Sequence, residues 1–120
     1  MLRFGTAPFL ECSSKGDKRF SAFYAKILPG DCMSIEDIYQ AAKVFEDGST
    51  KLSWRDAKGR KCVNQEYVKK LYSHLWDRYF IENPHLLEVI KQFNGFSDMF
   101  GQKGHCCQAE EIWRIRNEKR

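Results

Sequence analysis

Between residues 64 and 93, apolar side chains recur at intervals of three and four, interrupted only by Asn83-Pro84. Val68, Leu71, Tyr72, Leu75, Tyr79 and Phe80 share one side of a helix, and Leu86, Leu87, Ile90 and Phe93 share one side of the next. Asn64 stands where a cap accepts the first free amides. Pro84 has no amide to donate, so it closes the first helix and fits the first turn of the second, which Asn94-Gly95 ends. These apolar stripes need a cover. A chain of 120 residues with 42% hydrophobic composition supplies one core and is too short for two of ordinary size. One domain spanning residues 1–120 is therefore expected.

The stretch SIEDIYQAAKVFEDG, residues 34–48, predicts a further helix. Ser34 can accept from its first free amides, and Asp37 completes a capping-box-like arrangement that sets negative charge at the positive helix end. Ile35, Ile38, Ala42 and Phe45 form its buried stripe, and Asp47-Gly48 stops it. A last helix is expected from about His105 to Asn117, with Ala109, Ile112 and Trp113 inward, whereas the glycine-interrupted FSDMFGQKGH before it reads as a loop. At the N-terminus, residues 2–10 and 19–28 are rich in aromatic and aliphatic side chains, with the turn-like SSKGDK between them. They predict a small antiparallel β pair closed by Pro29-Gly30-Asp31. The expected fold class is α+β, mainly helical, with this N-terminal β element and four to five helices.

No run of eighteen apolar residues occurs, and MLRFGTAPFLEC lacks the basic start, long apolar middle and cleavage site of a secretion signal. A cytoplasmic protein with no membrane partner is expected. Five cysteines, at 12, 32, 62, 106 and 107, show no two-residue spacing of a zinc knuckle or redox motif. Free thiols in a reducing compartment are the expectation, with no metal and no cofactor. His105 with Cys106 is a poor start for a metal site, because adjacent ligands rarely close a tetrahedron. Residues 51–61, KLSWRDAKGRK, carry Lys51, Arg55, Lys58, Arg60 and Lys61 against Asp56, a local +4 that equals the net charge of the whole chain. Such a segment suits phosphate or a nucleic-acid backbone, and equally a solvated loop.

Glu36, Gln40 and Lys43 fall four and three residues apart, with Tyr39 beside them, so they share one helix face. A carboxylate, an amide, a phenol and an ammonium in one strip can transfer a proton, read a hydrogen-bonding edge and hold an anion. A polar strip of this kind is also the ordinary wet side of a helix.

RFSAFYAKI, SIEDIYQAAKVF, AKGRK, LWDRYFIENPHLLEVI and the closing EEIWRIR, taken in order from about residue 19 to the C-terminus, resemble the NADAR or YbiA-like family. The strongest match is Glu36 with Gln40, Ala41 and Lys43. The resemblance implies cleavage of an N-glycosidic bond in a ribosylated substrate, either a phosphorylated riboside or an ADP-ribosyl group, in some members on nucleic acid. It implies Glu36 as the catalytic carboxylate, Phe20, Ser21 and Phe23 on the base side, Gln40 and Lys43 as helix contacts, and Lys58 and Arg60 on the phosphate side.

The chemistry is coherent with the residues themselves. A ribosyl C–N bond breaks through an oxocarbenium-like state that a carboxylate stabilises. Aromatic rings at Phe20, Phe23 and Tyr24 can stack on a base, Trp54 offers a further ring or a rim aromatic, and Arg55 adds charge for phosphate. Asp98 is a candidate second carboxylate or a loop cap. His105 can protonate a leaving base, since imidazole changes charge near neutrality. The chain departs from the family pattern at Ala22, where the family has asparagine, at Asn64, near an expected tryptophan, and at GQKGHCCQAE, which replaces a Trp-Gly motif. These departures leave open a module of the same fold that binds nucleotide, nucleic acid or protein without turnover, as in a small phage accessory protein.

Overall fold

A computed structural model describes residues 1–52, 54–57 and 59–118, with the backbone alone at Trp54. The elements in chain order are β1 (Leu2–Gly5), β2 (Phe9–Glu11), a short 3-10 turn at Lys18–Phe20, α1 (Ile35–Ala41), α2 (Trp54–Ala57), α3 (Gln65–Glu82), α4 (His85–Ile90), β3 (Gly95–Asp98) and α5 (Gln108–Asn117). The fold is α+β and mainly helical, as its sequence pattern predicts. Among the described residues no helix is long and apolar enough to cross a membrane.

The sheet differs from the expected hairpin in its partners. Its order is β1-β3-β2. The central strand β3 runs antiparallel to β1, with Leu2 opposite Asp98, and parallel to β2, with Glu11 opposite Ser97. Residues 95–98, expected as the end of a helix and the start of a loop, are thus a fully buried strand. Gly95 is required there, because a Cβ would meet the Phe9 ring and the Thr6 carbonyl at 2.5 Å.

Residues 19–28 form no strand. The backbone groups that a ladder would need are used elsewhere: the Ala22 carbonyl accepts from the Glu36 amide and the Ala25 carbonyl from the Ile35 amide, both at 2.9 Å. The Ala22 amide donates to Gln108 Oε1 at 2.6 Å. The segment is apolar because Phe20, Ala22 and Ala25 enter the core, a burial that does not alternate as a strand's would.

The Ser34 cap forms as expected. Asp37 N donates to Ser34 Oγ at 3.2 Å and Ser34 N to Asp37 Oδ2 at 3.0 Å, closing the capping box. The helix stops at Ala41, short of the expected Asp47. Asn64 is the reason: its Nδ2 donates to the Ala42 carbonyl at 3.0 Å and its Oδ1 accepts from Val44 N at 2.9 Å. Its side chain makes no cap bond to α3 and instead anchors the chain leaving α1.

α3 carries the core. Val68, Tyr72, Leu75, Tyr79 and Phe80 are buried along it, as the periodicity predicts, while Leu71 is partly buried and Trp76, outside the expected stripe, is fully buried. α1 packs against α3, while α5 lies on β3 and β1 and presents Ala109, Ile112 and Ile115 to the same core. α5 begins at Gln108 rather than His105, which leaves residues 102–107 as a loop beside the N-terminus of α1.

Candidate active site

Of the hollows beside that loop, two adjoin each other next to α1. The first, about 330 Å³, is lined by Glu36, Asp98, Phe23, Phe100 and Tyr72, with His105 and Cys106 at its edge. The second, about 510 Å³, is lined by Tyr39, Gln40, Lys43, Arg60, Lys61 and Lys69 and shares Gln102, His105 and Cys106 with the first. Tyr39 and Tyr72 meet edge to face, ring centroids 4.9 Å apart, and so form part of the partition. The polar strip is therefore split, Glu36 on α1 facing one hollow while Tyr39 and Gln40 on α1, and Lys43 two residues past its end, face the other.

Glu36 sits in the first turn of α1, whose entry is fixed by the two amide bonds onto Ala22 and Ala25. The Glu36 Oε1 accepts from Gln40 Nε2 at 2.8 Å, one turn along the helix. Burial pushes the Glu36 carboxyl above the usual glutamate range, against the Gln40 bond and the Lys43 charge, which pull it down. A carboxyl held this way exchanges its proton closer to neutrality than an exposed one, the property a general acid or base needs.

Asp98 ends β3, 5% exposed, and its oxygens are occupied. Oδ1 accepts from Phe100 N at 3.0 Å, and Oδ2 accepts from Gln108 Nε2 at 2.9 Å and from the Cys107 thiol at 3.8 Å. Gln108 is the residue that the sequence does not reveal. Its amide joins the Ala22 amide on one side to Asp98 on the other, so one buried side chain ties the end of β3 to the residue whose carbonyl receives the Glu36 amide. In the sequence it is one polar residue in the first turn of a helix, with no periodic signal of burial.

In the second hollow, Lys43 Nζ lies 4.5 Å from the centroid of the Tyr39 ring, a cation–π contact that directs the ammonium. Burial, and then the Cys106 thiol beside it, push the Tyr39 hydroxyl far above its ordinary value. Arg60 pairs with Asp47 at 2.5 Å and Lys61 with Glu46 at 3.4 Å. Lys43 and Lys69 form no ion pair among the described residues.

The other expected contacts lie elsewhere. Phe20 is fully buried against Phe80, centroids 6.3 Å apart, and Ser21 is fully buried with its hydroxyl unpartnered among the described residues. Both support the site from within the core and line neither hollow. Tyr24 is exposed under the Lys18 ammonium, 4.8 Å from its ring centroid, outside both linings. Arg55, on α2, is exposed and also outside both linings. The Trp54 ring and Lys58 lie outside the described residues. All five cysteines are free, and among the described residues no three His, Cys, Asp or Glu side chains cluster as metal ligands.

No model of a known protein family matches the chain, and no curated protein matches it.

Proposed function

We propose that this protein is a cytoplasmic N-glycosidase-type hydrolase that cleaves the ribosyl N-glycosidic bond of an ADP-ribosylated or phosphorylated riboside. One observation carries the reading: the half-buried Glu36 carboxyl, its proton affinity raised by burial, lines the same hollow as Phe23, Asp98 and His105. The resemblance of SIEDIYQAAKVF to the NADAR helix points to the same residue. Five free thiols suit a reducing compartment.

In this reaction the bond between the ribosyl anomeric carbon and the base nitrogen breaks, and the positive charge left on the sugar is met by the Glu36 carboxylate. Water attacks the anomeric carbon and gives its proton to Glu36, while His105, exposed at the rim, donates a proton to the departing nitrogen. Phe23 offers a face to the base. Asp98, with its oxygens occupied, holds the far wall by way of Gln108.

Ala22 favours a second reading, a binding module without turnover. Where the family has asparagine, this position offers a ligand no side-chain polar group, and its backbone is spent on Glu36 and Gln108. The experiment that separates them incubates the protein with ADP-ribosylated DNA and with ribosylaminopyrimidine phosphate and follows released base or sugar phosphate by mass. The enzyme releases ADP-ribose from the DNA, or base and ribose phosphate from the aminopyrimidine riboside, and Glu36→Gln lowers turnover by about two to four orders of magnitude with binding retained. Release unchanged in that variant removes Glu36 from the mechanism. Binding with no release by the wild type establishes the module.

A further inference from the structure

The two hollows are segregated by charge sign. The described lining of the first contains two carboxylates, Glu36 and Asp98, and neither lysine nor arginine. That of the second contains Lys43, Arg60, Lys61 and Lys69, and neither aspartate nor glutamate. They meet at Gln102, His105 and Cys106, so a ligand crossing that edge reaches both. Four cations gathered in one concave space repel one another unless an anion joins them, and concave walls focus their field.

These cations are not equivalent. Arg60 and Lys61 already face Asp47 and Glu46, and Arg60 Nε also donates to the Asp56 carbonyl at 2.9 Å. Lys43, two residues past the end of α1, and Lys69, on α3, form no ion pair among the described residues. We propose that the cleft between α1 and α3 is an anion subsite in which Lys43 and Lys69 hold the phosphate ester of the ligand, while its uncharged ribosyl end enters the Glu36 hollow. This rests on the N-glycosidase reading for what occupies the first hollow, and adds Lys69 as a binding residue. It also moves the phosphate contact from the basic segment 51–61 to α3 and the turn that follows α1. An ammonium acts here as a compact point charge, so either lysine serves a mono- or a diphosphate.

The test is titration calorimetry with three probes, ADP-ribose, ribose 5-phosphate and adenosine, on the wild type, Lys43→Gln, Lys69→Gln and Lys70→Gln. Lys70 is exposed on the same helix outside the cleft, so its variant carries the same loss of charge without the geometry. Losing one charged hydrogen bond corresponds to about tenfold in affinity. Expected is a loss of about tenfold for the phosphorylated probes in the first two variants, none in Lys70→Gln, no change for adenosine, and a weaker salt dependence in Lys69→Gln. Equal losses in Lys69→Gln and Lys70→Gln overturn the subsite, as do equal losses for adenosine or the absence of phosphate-dependent binding by the wild type. Retention of this pattern with no cleavage of the ribosyl–base bond in either substrate sinks the hydrolase reading and leaves the subsite standing.

Discussion

The acidic and basic hollows share an edge and are held in opposite ways. The acidic one is fixed by buried bonds spanning most of the chain: Ala22 to Gln108 across 86 residues, and Gln108 onward to Asp98. The basic one is lined by longer and wetter side chains, with Arg60 and Lys61 in ion pairs whose partners are largely exposed. The difference teaches where each hollow is sensitive. Perturbing buried polar groups alters stability and pH response, because those groups have no water to fall back on. Perturbing exposed charges alters ligand affinity and salt response and leaves the fold nearly untouched.

The sharpest way to break that contrast is Glu36→Gln. Its turnover falls by about two to four orders of magnitude if the acidic hollow performs the chemistry. Its stability should move in the other direction. The folded-state carboxyl is raised from the ordinary 4.5 by burial, so the stability tied to its protonated form is present below that value and lost as pH rises through the raised one. The amide keeps a carbonyl for Gln40 and carries no charge to bury. Thermal melts from acid to neutral pH should therefore show the variant losing less stability than the wild type as pH rises above 4.5. A variant that follows the wild-type curve would mean that the carboxyl is hydrated in the folded state.

Next in size is Gln108→Leu, which keeps the volume and removes both bonds. The Ala22 amide and Asp98 are then left without that partner in the interior, at about 1–3 kcal/mol for each orphaned group. The melting temperature should fall by several degrees, and phosphate binding in the basic hollow should persist wherever the variant remains folded. Loss of both functions together would show that the two hollows are mechanically one.

What could be read in advance follows the same division between local and distant. The Ser34–Asp37 box was legible because both partners and their purpose lie within one turn. The burial of Val68, Tyr72, Leu75 and Phe80 was legible because a helix repeats its environment every three or four residues. β3 was not, since Gly95-Phe96-Ser97-Asp98 is strand only by virtue of β1 and β2, supplied from the far end of the chain. Residues 19–28 showed the right apolar density and the wrong period, because their carbonyls serve α1 rather than a neighbouring strand. At the site, the helix strip and the family resemblance point to Glu36 and Phe23, residue type points to Asp98 and His105, and all four line one hollow. The division of the α1 strip was hidden, because Tyr72, on another helix, supplies the ring that packs against Tyr39. Gln108 was hidden because burial of a lone polar residue leaves no pattern.

Ser34→Ala sharpens the comparison through the helix both hollows share. Removing the cap costs about 1 kcal/mol, as typical for a serine N-cap. Since α1 carries Glu36 into one hollow and Tyr39 and Gln40 into the other, with Lys43 two residues past its end, both functions should weaken by a similar small factor when turnover and ADP-ribose affinity are measured well below the melting temperature. Unequal weakening would show that Asn64, which ties the far end of α1, holds Lys43 independently of the cap.

The smallest effect is expected at Arg60→Gln. Its partner Asp47 is exposed, and the pair stands at the surface where solvent screens the attraction and side-chain entropy opposes it. Melting temperature should stay within replicate scatter. Affinity for ADP-ribose should fall less than in Lys69→Gln, because an arginine already in an ion pair contributes less net field to a phosphate than an ammonium held in none among the described residues. A larger loss at Arg60 than at Lys69 would reverse the order and show that the guanidinium leaves Asp47 to clasp the ligand, in which case Asp47→Asn should raise affinity by freeing it.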